Sequence, residues 1–400
     1  MKPLVVVGAG AAGLMAAWWA AHRGASVVLL EASRDAGRKI LISGGGRCNI
    51  LPSVSGLSDF HSEGSRNVLR RLFRTWPLED MKRWFEEELE LPLMLEKASG
   101  KLFPEVQRAK VVRDKLVAAI EAKGVKLKRN WRVETLDPVE GGGFLLRSSD
   151  GQEQEASKVV LASGGRSVPK TGSDGHGYEL ARRLGHRILP TYPALVPLTT
   201  NDTALRELSG LAVPVRWQAW EGQRVAASGE RDFLFTHKGF SGPAALDASH
   251  HHVHCGRRLT VAWAGLSEEA WESRFRSMPA KSIGRIFADA LPRRLVELLL
   301  QRAQLPDGIR AGNLDKARRA RLLELLCRFE LPVDGTRGFA VAEVTGGGIP
   351  LGEVNPSTLE SRKQPGLYLC GEILDVFGRI GGFNFQWAWL TGKLSGMARQ

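Results

Sequence analysis

The sequence predicts an α/β protein, in which a Rossmann-like domain is interrupted by an inserted β-barrel-like and helical region. Three observations predict it. The chain opens with strand, glycine turn, helix, strand and acid in "LVVVGAGAAGLMAAWWAAHRGASVVLLE". A second apolar run, "VVLASGG", also ends a strand in small residues, after a stretch of short β runs. Residues 341–400 then return to strand, glycine-rich loop and helix, after a middle of different character.

The opening run carries no charge from Pro3 to Ala21, long enough in principle for an export signal or a membrane anchor. The glycines divide it instead into a buried strand and a buried helix. Gly8 permits a tight turn, Gly10 lets backbone approach a diphosphate, and Gly13 lets helix and strand pack closely. The helix N-terminus favours negative charge, because its first N–H groups have no partner within the helix. Glu31, closing "SVVLLE", is placed to accept a hydrogen bond from a ribose hydroxyl. Together these features point to a dinucleotide.

Four hundred residues at 43% apolar content suggest more than one domain. No other uncharged stretch could span a bilayer, and Cys48, Cys255, Cys327 and Cys370 show no C-x-x-C pair. A cytoplasmic protein with reduced thiols and no membrane association is expected. The formal charge of +13 biases encounters toward anions. Arginine clusters lie at "RNVLRRLFR" (66–74) and "DKARRARLLELLCR" (315–328). They read as solvated helix faces in preference to an RNA-binding surface, because no recognised RNA module accompanies them.

Along the chain, residues 65–90 read as two amphipathic helices, the second begun by Pro77. A hairpin follows with its turn at Ser99 and Gly100, then a helix stopped by Gly124. Residues 125–162 carry short β runs, and a helix lies at about 177–184. "PTYPALVPL" looks like a domain exit. The expected organisation is residues 1–188 as the first part of the Rossmann-like domain, 189–262 as the β-barrel-like insert and 263–340 as a helical region. Residues 341–400 complete the first domain, with β character returning at "GFAVAEVTGGGIP".

A nicotinamide dehydrogenase would leave "VVLASGG" and the C-terminal block unexplained, whereas FAD is long enough to engage both. The segments "VVVGAGAAGLMAA", "GRKILISGGGRCN", "ASGGRSVPKTGSDGHGY", "PALVPL", "FLFTHKGFSGPA", "AEVTGGG" and "GEILDVFGRIGGFNFQWAW" span nearly the whole chain. On them the sequence resembles the YhiN/BaiN-like family of bacterial NAD(P)/FAD-dependent oxidoreductases, two-dinucleotide-binding-domain flavoproteins. It departs from the family pattern at Asp174 and His176, where members usually carry threonine and aspartate.

The resemblance implies FAD as cofactor, held at Gly8, Gly10, Gly13, Glu31, Lys39, Gly44, Gly45, Gly46, Arg47, Cys48 and Asn49. It extends to Val133, Ala162 and Gly164, and to Gly371, Glu372, Asp375, Gly381, Gly382, Phe383 and Asn384. In the last group, Glu372 or Asp375 can accept from ribityl hydroxyls. A helix starting near Asn384 would aim its N-terminal N–H groups at the flavin N1 and O2 region.

Such an enzyme needs a substrate over the ring and a proton. His237, in a loop that the family places toward the flavin, is the first candidate donor, with Lys238 next and Cys48 a redox alternative in which packing weighs more heavily. Arg379 could bind an anion or brace the "GRIGG" turn. In "SHHHVHC", His250, His252 and His254 alternate as on a strand, yet no further ligand follows at a structured spacing, so no metal site is expected. Trp18, Trp19, Trp387 and Trp389 read as packing residues.

The expected activity is hydride transfer between FAD and a small-molecule substrate. NAD(P)H would serve as transient reductant in the substrate cleft, since no second G-x-G-x-x-G exists. The rivals are an RNA-modifying flavoenzyme and a flavin-binding sensor without turnover. The substrate, the nicotinamide preference and the oligomeric state are not legible.

Overall fold

The computed structural model describes residues 2–306 and 308–397. The chain divides into two compact units, one formed by residues 1–192 with 343–400, the other by 193–342.

The first unit is built on a five-stranded parallel sheet. Its strands are β1 (Leu4–Val7), β2 (Val27–Leu30), β3 (Lys126–Lys128), β4 (Lys158–Leu161) and β5 (Leu367–Leu369), in the order β5-β4-β1-β2-β3. β1 lies centrally, with Val5 opposite Val28 on one side and Val159 on the other. Because strands buried on both faces need apolar residues throughout, β1 and β2 read as continuous Val/Leu runs, and all eight residues are buried.

Helix α1 (Ala11–His22) packs against α2 (Ala109–Ala122) and against α3 (Phe383–Gly396). The α1–α3 contact is close because Gly392 and Gly396, one turn apart, lie against the Ala12 and Ala16 carbonyl oxygens, leaving no room for a side chain. The two ends of the chain thus share one core. The opening run is two elements, and among the described residues no helix is long and apolar enough to cross a membrane.

Two smaller features position the site. Strands Leu51–Pro52, Lys101–Pro104 and Leu93–Glu96 form an antiparallel sheet. Phe377–Gly378 pairs with Phe60–His61.

The second unit contains a seven-stranded sheet, with Ala212–Glu221 and Arg224–Thr236 as its long central hairpin. Its strands and the helices 268–277, 283–288, 293–302 and 316–327 bury side chains into one cluster that includes Trp263, Trp271, Phe275, Phe287 and Leu295. The expected division at 262/263 is therefore not a boundary between units. The outer boundaries fall at 192/193 and 342/343, a few residues beyond those expected.

Two local expectations are corrected. "SHHHVHC" does not form a strand: residues Gly242–Val253 are a helix, with Pro243 in its first turn and Ala244, Ala245, Leu246 and Ala248 favouring it. At about 100° per residue, His250 and His252 point to different faces, and the argument for a shared ligand face falls. In "GFAVAEVTGGGIP", strand geometry begins only at Val344, and residues 338–342 do not form a strand.

Candidate active site

The glycine turn between β1 and α1 is crowded on two sides and open on the third. Gly8 has φ +98°, and a Cβ there would stand 2.7 Å from the Ala162 carbonyl oxygen. A Cβ on Gly13 would fall on the Gly8 carbonyl oxygen and 3.3 Å from the Ala162 Cβ. Gly10 differs: its φ of −77° suits any residue, and no atom of the chain lies within 4 Å of the place its Cβ would take. Nothing in the fold requires a glycine there, but close approach of a ligand would. Helix α1 has no side-chain cap and no acid in its first turn, so its leading N–H groups face that opening uncompensated.

Glu31 secures this turn from below. One carboxylate oxygen accepts from Ala9 N (2.9 Å), the other from Ser33 N (2.8 Å) and Ser33 Oγ (2.6 Å). The group expected to face a ribose already holds three donors of its own chain. Val133 follows Trp131, whose N–H donates to the Glu31 carbonyl (2.8 Å), so both lie at the same end of the sheet.

The second glycine run forms a left-handed stretch. Gly44, Gly45 and Gly46 have φ of +55°, +67° and +82°, a succession that side-chain-bearing residues adopt only under strain. Gly45 and Gly46 again have nothing within 4 Å of a would-be Cβ. Arg47 is pinned by Glu96 (2.9 Å) and lies over the Phe103 ring (4.1 Å). Cys48 is wholly buried, and desolvation pushes its thiol up to about 12 despite the Ser43 hydrogen bond. A thiol held neutral is a poor redox nucleophile, which favours packing over redox chemistry at Cys48.

Lys39 and Glu372 form the polar knot of the unit. Lys39 Nζ lies 2.6 Å from Glu372 Oε2 and donates to Ser167 Oγ (2.6 Å) and Ser173 Oγ (3.3 Å). Glu372 Oε1 accepts from Ser167 Oγ (2.6 Å) and Thr345 N (3.0 Å), and Thr345 Oγ1 accepts from Arg166 N (2.7 Å). Four segments far apart in the chain are tied together here. Glu372 is thus a brace before it is a ribityl partner. Gly164, with φ +75°, crowds Ser173 Oγ at 2.5 Å from its would-be Cβ.

The C-terminal loop is braced residue by residue. Asn384 Oδ1 accepts from Gly378 N (2.8 Å) while its Nδ2 donates to Gly378 O (2.9 Å). Asn49, with its amide oriented to suit its neighbours, accepts from Gly382 N (2.8 Å) and donates to Leu51 O (3.2 Å). Trp387 and Trp389 donate to the carbonyls of Gly371 (3.1 Å) and Ile50 (3.0 Å), so these packing residues also fix the loops. Gly381 and Phe383 meet at 3.0 Å for a would-be Cβ, and Arg379 binds Asp59 while lying 4.3 Å over the Phe383 ring. Arg379 is a brace. Helix α3 begins after Gly382 with neither a side-chain cap nor an acid in its first turn.

Asp375 stands apart from these braces. Its Oδ2 accepts from Glu63 N (2.9 Å) and Ser62 Oγ (3.2 Å), and burial, outweighing both, pushes its carboxyl up to about 6. Beside it, the His61 ring stacks on Phe377 (5.0 Å between centroids), and burial lowers His61 to about 4. Neither environment is visible in sequence, although His61 lies two residues from Asp59, the partner of the motif residue Arg379.

His237 and Lys238 lie in the second unit, exposed at the turn between strands 224–236 and 239–241. Their carbonyls accept from Arg206 Nε (2.8 Å) and Thr200 N (3.0 Å). Asp174 and His176, where the family pattern breaks, form a local cap: Asp174 accepts from His176 N (3.0 Å) and pairs with Arg132 (2.8 Å).

Comparison with known proteins matches residues 2–398 to the model of the HI0933-like protein Rossmann domain. The chain belongs to the HI0933-like Rossmann family. That places it in a family of FAD-dependent oxidoreductases. Among its relatives is the 3-dehydro-bile acid delta(4,6)-reductase of Clostridium scindens, 33% identical, covering 100% of this chain and 99% of the relative. The ribosomal RNA dihydrouridine synthase of Escherichia coli is 34% identical, covering 96% and 94%. Among solved structures, the 3-ketosteroid delta1-dehydrogenase of Sterolibacterium denitrificans shares the fold at a TM-score of 0.51 and 15% identity, covering 99% of this chain and 98% of that one.

Proposed function

We propose that this HI0933-like family member is an FAD-dependent reductase that saturates a carbon–carbon double bond conjugated with a carbonyl on a small molecule, with NAD(P)H as transient reductant. The observation that carries the cofactor assignment is the open face of Gly10 beneath an uncapped helix N-terminus, which leaves room and unpaired donors for a diphosphate. The reaction class draws on the relatives' names, since delta(4,6)-reduction of a 3-dehydro steroid and formation of dihydrouridine both saturate such a bond.

Bound FAD would supply the hydride. The first N–H groups of α1 would hold its diphosphate, and Gly45 and Gly46, open where Gly44 is hemmed by Asn49 and Phe103, would admit its close approach. Val133, Ala162, Gly371 and Gly381 would bound its path, and the N-terminus of α3 would face the ring. The Lys39–Glu372 knot fixes the loops against one another. Asp375 is assigned the proton, ahead of the exposed His237 and Lys238, because a carboxyl titrating near 6 can hold a proton close to neutral pH and release it.

The proton must be present for Asp375 to act, so turnover falls as pH rises above about 6. Asp375→Asn is expected to lower the rate constant for reoxidation of reduced flavin by substrate about 100-fold and to flatten that pH dependence. The test is anaerobic reduction by NADPH or NADH followed at the flavin absorbance band, then mixing with a 3-oxo-Δ4 steroid. Flavin that neither reductant bleaches contradicts the enzyme reading and favours a sensor. Unchanged pH dependence in Asp375→Asn removes Asp375 from the reaction.

A second reading takes uridine in RNA as the substrate. The formal charge of +13 and the dihydrouridine synthase relative favour it. Reoxidation of the reduced flavin by uridine-containing RNA and not by the steroid would select it.

A further inference from the structure

The two arginine-rich stretches look alike in sequence, and the structure treats them in opposite ways. On the helix Lys316–Cys327, Arg318 pairs with its N-cap Asp315 (3.6 Å) and Arg319 with Glu272 (3.4 Å). Arg328, just beyond it, pairs with Glu268 (2.7 Å) and Glu324 (2.6 Å). Arg321 donates to the Arg302 carbonyl (2.9 Å). These charges are answered by partners on their own unit.

The helix Arg66–Arg74 buries Leu69 and Leu72 and exposes Arg66, Arg70, Arg71 and Arg74. Among the described residues, none of the four has a carboxylate partner; single exposed arginines such as Arg23, Arg276 and Arg310 share that state, whereas here four lie within nine residues of one helix. Arg70 donates to Asn67 (2.6 Å) and Arg71 to Ser357 Oγ (2.6 Å). Arg66, Arg70 and Arg74 are four residues apart, so like charges recur about every 6 Å along one face. Such repetition repels and destabilises an isolated helix.

The Arg71–Ser357 bond joins this helix to the segment 353–363, which adds two cations, and a third, Arg187, is bonded to that segment. Arg362 is tied by its backbone to Glu353 O (2.8 Å) and by Nε to Val354 O (3.1 Å), and Lys363 N donates to Ser361 Oγ (3.0 Å). Arg187 joins through its N–H to the Glu353 carboxylate (3.2 Å), beside the buried His186 that bridges Glu353 (2.7 Å) and Ser361 (2.8 Å). The side chains of Arg187, Arg362 and Lys363 are exposed and, among the described residues, unpaired with any carboxylate. Seven cations thus share one connected surface of the first unit.

We infer that this surface, centred on Arg66, Arg70, Arg71 and Arg74, is a docking face for the phosphate backbone of RNA. Arginine suits it, because the guanidinium fork meets two phosphate oxygens at once. A lipid surface fits less well: among the described residues, none of the exposed large hydrophobic side chains, Ile42, Val54, Met94, Leu95, Val106 and Val225, lies on the helix 66–74 or in the segment 353–363. The proposal rests on the RNA reading of the active site only in naming RNA as the polyanion.

The experiment is fluorescence anisotropy of a labelled RNA hairpin with the full-length protein, titrated at several salt concentrations. Arg66→Gln/Arg70→Gln/Arg71→Gln/Arg74→Gln is expected to weaken binding at least about tenfold and to make the slope of log K against log salt shallower by about 3. A charge-matched control, Arg129→Gln/Arg147→Gln/Arg224→Gln/Arg293→Gln, should stay within about twofold of the wild type. Arg70→Glu/Arg74→Glu, at exposed positions, should repeat the loss if the quadruple variant melts early. Equal losses in control and test variants overturn the proposal, as does a test variant that keeps wild-type affinity and slope. Binding to anionic vesicles in preference to the hairpin overturns it as well. Flavin content, read by absorbance, should not change in any variant, so failure of this surface is distinguishable from failure of the flavin assignment.

Discussion

Two glycine-rich turns in the first unit end at an uncapped helix, and their glycines serve different ends. In the opening turn, Gly8 and Gly13 are demanded by the protein's own backbone while Gly10 is not. In the C-terminal loop every glycine is hemmed in by the chain: Gly371 by the Ala12 Cβ at 2.9 Å, Gly381 by Phe383 at 3.0 Å, and Gly382 by the Leu51 carbonyl carbon at 2.7 Å. One turn thus offers an open face, and the other is a packed corner that sets where the helix starts. Glycine content alone does not separate a ligand cradle from a close-packed junction. The space around each absent Cβ tells these two turns apart, while turn glycines such as Gly24 and Gly124 are equally open without leading a helix.

Substitutions can break or sharpen this contrast. Gly13→Ala should have the largest effect, because its Cβ would fall on a backbone oxygen of the adjoining turn. We expect a loss of about 3 kcal/mol or more, seen as insoluble protein or a collapsed thermal transition in circular dichroism. Gly382→Ala meets backbone at 2.7 Å with φ +95° and should cost about 2 kcal/mol, read by urea denaturation, with cofactor affinity following stability. Gly10→Ala should leave the melting temperature within a degree or two of wild type, yet weaken FAD about tenfold by equilibrium titration, since the new methyl group enters space that only the ligand occupies. A variant of Gly10 that binds FAD normally would erase the distinction between the two turns.

The opening turn was legible because each of its causes is local. A β-branched strand, three glycines at fixed spacing and a terminal acid lie within 28 residues of one another. The braces were not legible, because they join residues remote in sequence: Lys39 to Glu372, Asn384 across the loop to Gly378, Trp389 to Ile50. Several residues read from sequence as ligand contacts, Glu31 and Glu372 among them, hold chain donors in the structure. Family patterns record that a residue is needed, without recording what it touches. Alternating histidines suggested a strand, but Pro243 and the alanines after it carry stronger helical preference. Charge spacing marked both arginine clusters, and only the positions of distant carboxylates could tell them apart. Asp375 and His61 owe their proton affinities to burial, which no local pattern encodes.

The central claim is that the two ends of the chain fold into a single FAD-binding unit, with the diphosphate on the first turn of α1. Titration of FAD into cofactor-stripped, folded protein, followed by flavin fluorescence, tests it directly. A dissociation constant at or below about 1 μM, raised by Gly10→Ala, is the predicted result. Folded protein that leaves flavin fluorescence unchanged at tenfold higher concentration would contradict it.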